Sequence, residues 1–424
     1  MTREDALAVI AVLQEHLTQQ EVATQVLREQ VATLLRRIAE LEARKTPPPG
    51  WATPNRPARE RPTGTRRRAR APVHNRGRRR EVIELPTTPV EVVEHQLIAR
   101  YSPACAAWKT PQLPAGVVRG QGRIGVRLAS LIGTLRMVHR LPLAQIQQVL
   151  ATLYGVHLSV GGLHDLLRRL RHVLAPVRAD LEAQVRASPS QHVDETGWRE
   201  NGHNGSLWVQ ATGGASPTRL FTYERSRAGA VADRMRAGDT GVVVSDGYGV
   251  YDHLPLATQR CGAHLLRTAH TLGEKHPHDA PLHAWIGALR TLYGHARTLS
   301  GRESVTDRQR AAAARDAERR MRHLTRCSRT PRDHPARALA AWLHQHEDEL
   351  FTVVRTPGVQ STNNQAERAI RPFVISRKIS GGSRSPQGSA IRCDLASVFL
   401  TWTARGLNPL TTCLAALQTP TPQL

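Results

Sequence analysis

Between His192 and Asp246 the chain turns from helical periodicity to short β-branched or aromatic runs separated by Gly/Ser turns. These are Ser206-Leu-Trp-Val-Gln-Ala-Thr, Arg219-Leu-Phe-Thr-Tyr and Gly241-Val-Val-Val-Ser. Runs of this length bounded by turn formers predict strands. With helical patterns before and after them, they restrict the chain to a mixed α/β fold. An acid stands near each end of this region. Asp194 comes after Gln-His-Val and before an expected Thr-Gly turn, and Asp246 ends the run Val242-Val-Val with Gly247 just behind it.

The flanking patterns are helical. Residues 123 to 137 predict an apolar helix, and Leu143 to Leu153 a second. Gly155 marks a turn, and Ser159 is placed to cap a third helix from Val160 to His172. Arg168, Arg169 and Arg171 on that last helix suit a helix-turn-helix whose second helix enters a major groove. Helical hairpins of this kind also occur in cores. Residues 262 to 352 are again helical in pattern, and 361 to 418 predict a helix, the loop Gly381-Gly382-Ser383, and further helices. Residues 81 to 120 predict a small β-containing unit, with strands in Val90-Glu-Val-Val and Gln96-Leu-Ile.

The amino-terminal region differs from both. Residues 6 to 41 carry a heptad seam: Ala6, Ile10, Leu13, Leu17, Gln20, Thr24, Leu27, Val31, Leu34, Ile38 and Leu41. Apolar spacing sustained at this period predicts a coiled coil and self-association; the alternative is one amphipathic helix lying on the protein's own body. Residues 45 to 80 hold twelve Lys or Arg against one acid, Glu60, with few apolar residues. That composition predicts a disordered tether. It contributes +11 to a formal net charge of +24 for 424 residues. An excess this large calls for a polyanionic partner.

Other classes are disfavoured. No apolar run approaches the roughly 18 residues of a membrane span, and Met-Thr-Arg-Glu-Asp-Ala lacks a signal-peptide layout. The five cysteines, Cys105, Cys261, Cys327, Cys393 and Cys413, are odd in number and scattered. No disulfide framework follows, and a reducing cytoplasm is expected.

A third acid, Glu367, lies four residues after Asn363 in a helical stretch that Thr362 or Asn363 can cap. An Asp on a central strand, an Asp at a neighbouring strand end and an acid from a packed helix can converge on two divalent ions roughly 4 Å apart, the layout of phosphodiester chemistry. Magnesium accepts such oxygen donors. Singly, each acid has a plainer explanation: strand-end Asp residues form turns, and Glu367 could pair with Arg368 or Arg371.

Their contexts add weight. Asp194-Glu-Thr-Gly, Ser245-Asp-Gly-Tyr with Tyr251, Cys261-Gly-Ala-His264-Leu-Leu-Arg267, and Asn363-Asn364-Gln-Ala-Glu367-Arg368-Ala-Ile-Arg371 through Arg377-Lys378 closely resemble the insertion sequence 66 family of bacterial transposases. The resemblance covers most of the chain, including the zipper and Gly406-Leu-Asn-Pro409. It implies an α/β, RNase H-like catalytic core with a helical insertion, preceded by the coiled coil and a helical DNA-binding region. The expected division is coiled coil 1–44, linker 45–80, β unit 81–120, DNA-binding helices 121–185, core 186–260 and 353–405, insertion 261–352, and tail 406–424. It also implies a DDE triad of Asp194, Asp246 and Glu367 holding two Mg²⁺ or Mn²⁺ ions. Arg368, Arg371, Arg377 and Lys378 would then hold phosphates, and Asn363, Asn364, Cys261 and His264 would support the site. The implied activity is metal-dependent cleavage and strand transfer of an insertion sequence. The expected partners are element ends, target DNA, further copies of the chain and accessory proteins of the element. Rival readings are an inactive DNA-binding derivative and a nuclease of the same core without strand transfer.

One departure stands out. The family usually carries paired Cys-x-x-Cys motifs after the basic linker, whereas Tyr101-Ser-Pro-Ala-Cys105-Ala-Ala-Trp108 keeps one cysteine. One thiolate cannot build a four-ligand zinc site, so no structural zinc is expected and the unit is a zinc-finger remnant. Cys261 and His264 form a second candidate zinc pair, with His270, His276 and His278 following. The expectation is instead that both face inward and orient the Asp246 region. Trp198 and Trp208 are expected in the core or a hairpin.

The tether generates a test. Contact through phosphates alone adds affinity on any sequence. Deleting residues 45 to 80 should weaken binding to element ends and random duplex alike and flatten the salt dependence, whereas replacing Arg168 and Arg169 should weaken end binding more. Titrating both DNAs at several salt concentrations separates the two. Selective loss of end recognition on tether removal would contradict this division.

Overall fold

Residues 90–111, 113, 117, 123–252, 256–302, 304–326 and 334–418 are described by the computed structural model. All lie within one unit of the chain, residues 85–424. The heptad seam and the basic tether fall outside the described residues. Val90–Val93 and Gln96–Ile98, expected as strands, are exposed and unpaired, with Val92 90% exposed. Strand preference reflects packing on a half-buried surface, which these runs lack. The ladder lies downstream, Arg100–Ser102 (β1) against Ala107–Lys109 (β2). Tyr101 and Trp108 face each other across it with ring centroids 5.7 Å apart, edge to face.

The main sheet has five strands: Ser190–Glu200 (β3), His203–Ala211 (β4), Arg219–Glu224 (β5), Val242–Ser245 (β6) and Thr258–Arg260 (β7). Their order is β5-β4-β3-β6-β7. The first three in sequence are antiparallel neighbours, whereas β6 and β7 run parallel to β3. All four residues of β6 are buried, as a strand with parallel partners on both sides requires. The expected Thr196-Gly197 turn does not form. β3 runs straight through it because Trp198 and Glu200 are buried further on. The reversal comes at Asn201 (φ +50°) and Gly202 (φ +81°), the Asn-Gly pair that a tight hairpin turn demands.

Helices cover the sheet. Val126–Met137 (α1), Leu143–Tyr154 (α2), Val160–Val173 (α3) and Ala175–Arg186 (α4) precede it, and Gly229–Arg236 (α5) links β5 to β6. Between β7 and the next core helix come Gly262–Lys275 (α6), Ala280–Ser300 (α7), Asp307–Thr325 (α8), Arg337–Gln345 (α9) and Thr352–Arg355 (α10). Asn364–Ser380 (α11), Pro386–Ala404 (α12) and Pro409–Gln418 (α13) end the described chain. Gly155 takes φ +65° after α2, and the Ser159 side chain accepts from Gly162 N at 3.0 Å to cap α3.

Strand alternation separates two faces. Trp198, Leu207, Val209, Ala211 and Phe221 pack into the core built from α1–α4 and α11–α13, where Phe373 of α11 meets both Trp198 and Phe221. Val193, Trp208 and Val243 point the other way, onto Val231 of α5 and Tyr251. A further core forms among α6–α10 and reaches Val242 and Val244. Among the described residues no helix is long and apolar enough to cross a membrane.

The loop between α11 and α12 is stitched to the β3–β4 hairpin. Asn201 N donates to Ser383 O at 2.9 Å, Ser383 N to Arg199 O at 2.8 Å, and Trp198 Nε1 to Ser383 Oγ at 3.1 Å. This approach is possible because Gly382 has no side chain. Its φ is +126°, and a Cβ there would lie 2.1 Å from Arg199 O. Gly382→Ala should therefore cost about 2 kcal/mol or more, read as a lowered denaturation midpoint. An unchanged midpoint would mean that this stitch does not hold the hairpin.

Candidate active site

Strand pairing carries the segments of Asp194 and Asp246 side by side. Parallel pairing sets His192 of β3 opposite Val244 of β6. Asp194 lies two residues further along β3, whereas Asp246 lies one residue past the end of β6, in the loop that follows it. The charges of Asp246 and Glu367 both act on the Asp194 carboxyl. Asp194 also pairs with Val209 of β4, which points into the core containing α11. Glu367 enters from the first turn of α11, a helix packed on β3.

Asn363 fixes that helix. It stands at the N-cap position of α11, yet its side chain does not cap. Its Nδ2 instead donates to Val193 O at 2.7 Å, and its backbone N–H donates to Cys261 Sγ at 3.1 Å. Cys261 precedes α6 and donates its own N–H to Ser245 O at 2.8 Å. One buried asparagine thus ties β3, the end of β6 and the start of α6 to α11. Cys261 is buried, as expected, and His264 is half-buried with its Nδ1 turned inward. With a side chain 37% exposed, it turns its Nδ1 to within 3.6 Å of Glu367 Oε1. An imidazole one turn into α6 reaches α11 because Cys261 anchors both helices. Ligand atoms of Cys261, His264 and Glu367 lie within 4.8 Å of one another.

The electrostatics distinguish two adjacent acids. Glu195 faces opposite to Asp194, its carboxylate buried. It receives Arg227 at 2.5 Å and the Tyr251 hydroxyl at 2.8 Å, and Arg227 lies over the Tyr248 ring at 4.2 Å. Burial, then Glu195, push the Tyr251 hydroxyl well above its usual range. Asp194 has no such cation. Burial first, then Glu195, Asp246 and Glu367, raise its carboxyl to about 7, against one backbone hydrogen bond from Glu195 N. Burial also lowers the His192 imidazole to about 4, so it brings no positive charge beneath the site.

The loop carrying Asp246 is braced by Arg260. This buried guanidinium pairs with Glu349 and Asp252 and donates to Asp246 O at 3.2 Å. Tyr248 N donates to Asp246 Oδ1 at 3.0 Å. Glu195, Arg227 and Arg260 carry this support and were given no role from the sequence, whereas Tyr251, whose hydroxyl joins them, was quoted there only as part of a motif. An acid beside Asp194 within a strand is itself a signal, since alternation sends it to the other face where it needs its own cation.

The basic residues fall into two groups. On α11, Arg368, Arg371 and Lys378 are exposed, and Asn364 is half-buried. Arg377 donates to Thr196 Oγ1 at 3.0 Å and Gly197 O at 2.6 Å, joining α11 to β3. On α3, Arg168 and Arg169 share Asp165, at 2.7 and 2.8 Å. Arg171 meets Asp394 of α12 at 2.5 Å, where Arg178 also pairs at 2.8 Å.

The chain is a mixed α/β protein whose five-stranded sheet carries Asp194 on β3 and is followed, just past β6, by Asp246, with Glu367 on a helix packed against β3. The model of the transposase IS66 family matches residues 121–391, more than half of the chain, and the chain belongs to this family. It is 26% identical over 322 residues to an uncharacterized protein, y4jD, of Sinorhizobium fredii, covering 70% of this chain and 62% of that one. It is 36% identical over 70 residues to a second, y4jO, of the same organism, covering 16% of this chain and 22% of that one. The chain therefore spans less than two-thirds of the length of these curated relatives.

The raised Asp194 carboxyl has a stability consequence. Between about pH 4 and 7 the folded chain keeps a proton that the unfolded chain has lost, so stability falls as pH rises through that window, by up to about 4 kcal/mol. In metal-free protein, Asp194→Asn should remove this fall and raise the melting temperature at pH 7.5 more than at pH 4.5. Equal shifts at both pH values would show that Asp194 titrates normally.

Proposed function

We propose that this chain is a DDE transposase that cleaves DNA at the ends of an insertion sequence and joins the exposed 3′-hydroxyl to target DNA. Asp194, Asp246 and Glu367 are its catalytic acids. The observation that carries the reading is the nearness of Asp194 to Asp246 and Glu367, whose charges, after burial and Glu195, raise the Asp194 carboxyl. A sheet of three antiparallel strands extended by two parallel ones supports an RNase H-like core.

The donor set fits hard divalent ions. The charges of Asp246 and Glu367 act on Asp194, and Glu367 Oε1 is buried without a hydrogen-bond donor. Mg²⁺ or Mn²⁺ held there would neutralise charge at phosphorus and activate the attacking oxygen. The protein's own part is placement. The β3–β6 pairing carries the segments of the two aspartates side by side, and Asn363 ties down the helix that carries Glu367. Arg227 neutralises Glu195, so the neighbouring acid adds less repulsion. Exposed Arg368, Arg371 and Lys378 attract the phosphate backbone beside the acids, and Arg168 and Arg169 are placed to contact DNA from α3. Arg377 is assigned to positioning, because it joins α11 to β3 at Thr196 and Gly197. DNA is thus the proposed partner, with a homo-oligomer assembled through the amino-terminal heptads, accessory proteins of the element, and a bacterial cytoplasm as the setting.

Asp194→Asn, Asp246→Asn and Glu367→Gln should each reduce Mg²⁺-dependent strand cleavage by about a thousandfold while leaving DNA binding within a few-fold of normal. Cleavage of end-bearing duplex and joining to a plasmid target would be followed on gels. Near-normal cleavage by a variant removes that residue from the site. Cleavage without joining by the unmodified chain indicates a nuclease.

A further inference from the structure

Cys261 and His264 are not needed by the cleavage chemistry, which uses oxygen donors, yet both converge on Glu367. Cys261 sits immediately before α6 and His264 within its first turn, so the Cys-x-x-His spacing turns both toward α11. Their ligand atoms and that of Glu367 lie within 4.8 Å of one another. Two of these atoms, His264 Nδ1 and Glu367 Oε1, are buried without a hydrogen-bond partner and stand 3.6 Å apart. The third, Cys261 Sγ, already accepts the Asn363 N–H at 3.1 Å, the outer hydrogen bond that orients a metal-bound thiolate. Both His264 and Glu367 are more than a third exposed as side chains, so an ion has a way in.

We infer that Cys261, His264 and Glu367 form a binding site for a thiophilic divalent ion of the zinc class. Magnesium takes oxygen ligands and gains little from sulfur, whereas thiolate with imidazole selects zinc-like ions. Three protein ligands leave a fourth position open, unlike the closed four-ligand structural sites. The inference goes beyond the cleavage proposal and shares only Glu367 with it. An ion held here draws Glu367 toward α6 and away from Asp194 and Asp246, so zinc-class ions would oppose magnesium at the site.

Full-length protein, stripped of metal and kept reduced without magnesium or DNA, would be titrated with Co²⁺ and followed by absorption. One Co²⁺ per chain should bind with a sulfur-to-cobalt charge-transfer band in the near ultraviolet. Zn²⁺ should displace it, and a large excess of Mg²⁺ should not. The band should vanish in Cys261→Ser. Affinity should fall about tenfold or more in His264→Gln and Glu367→Gln, and stay unchanged in Asp194→Asn. Should Cys261→Ser fail to fold, by its far-ultraviolet circular dichroism, His264→Gln carries the test, since it leaves the buried thiol in place. Absence of the band in the unmodified chain overturns the site. So does a full-strength band in Cys261→Ser, or unchanged affinity in His264→Gln. Mg²⁺-dependent cleavage is scored separately, so loss of the cobalt site with intact cleavage refutes this inference alone.

Discussion

The candidate site depends on Asn363 more than on any of its acids. Its amide reaches β3 through Val193 O, and its backbone N–H reaches the Cys261 sulfur. Cys261 in turn is bonded to the end of β6 through Ser245 O. Segments separated by more than a hundred residues of sequence are thereby held at one point, 0% exposed. A buried hydrogen bond adds only about 1 kcal/mol net, but losing one partner leaves the others unsatisfied at greater cost. That asymmetry makes the junction stiff. Glu367, four residues along α11, inherits its position from it.

The two faces of β3 divide the electrostatic work. Glu195 is neutralised by Arg227 and a hydroxyl, and so behaves as part of the fold. Asp194, one residue earlier, has its ionised form disfavoured first by burial and then by the charges of Glu195, Asp246 and Glu367. A site that is uncomfortable when empty and relieved by a bound cation links ion binding to stability. Local sequence cannot produce this contrast; only the alternation of a strand between a cation-bearing face and an acid-bearing face does.

Much of this was legible in the residues. β6 was visible as Val242-Val-Val, and the cap of α3 as Ser159, because local chemistry decides both. The Thr196-Gly197 turn was misplaced because burial of Trp198 and Glu200, a tertiary effect, carries β3 onward to Asn201-Gly202. The strands expected near Val90 and Gln96 failed for the converse reason, since β-branched runs without a covering surface gain nothing by pairing. Asn363 looked like a cap and is instead a cross-brace, a role set by where Val193 and Cys261 lie in space. His264 looked inward-facing, and its approach to Glu367 depends on how α6 and α11 cross, which no local pattern encodes.

Charge at two length scales completes the picture. At long range the chain presents a formal excess of +24, which draws in a polyanion and is screened over about 8–10 Å at ordinary ionic strength. At the proposed site the charges of Asp246 and Glu367 act on Asp194, and ionised carboxylates there repel a phosphate at close range, where screening is weak. Attraction by the surface and repulsion by the centre cannot both be satisfied by side chains alone. Exposed Arg368 and Arg371 share α11 with Glu367 and soften the conflict at its edge. In the proposed reaction the phosphate therefore approaches productively only once cations separate it from Asp194, Asp246 and Glu367. DNA affinity is then set by the basic surface and reactivity by the ions, which is why the two should respond to different substitutions.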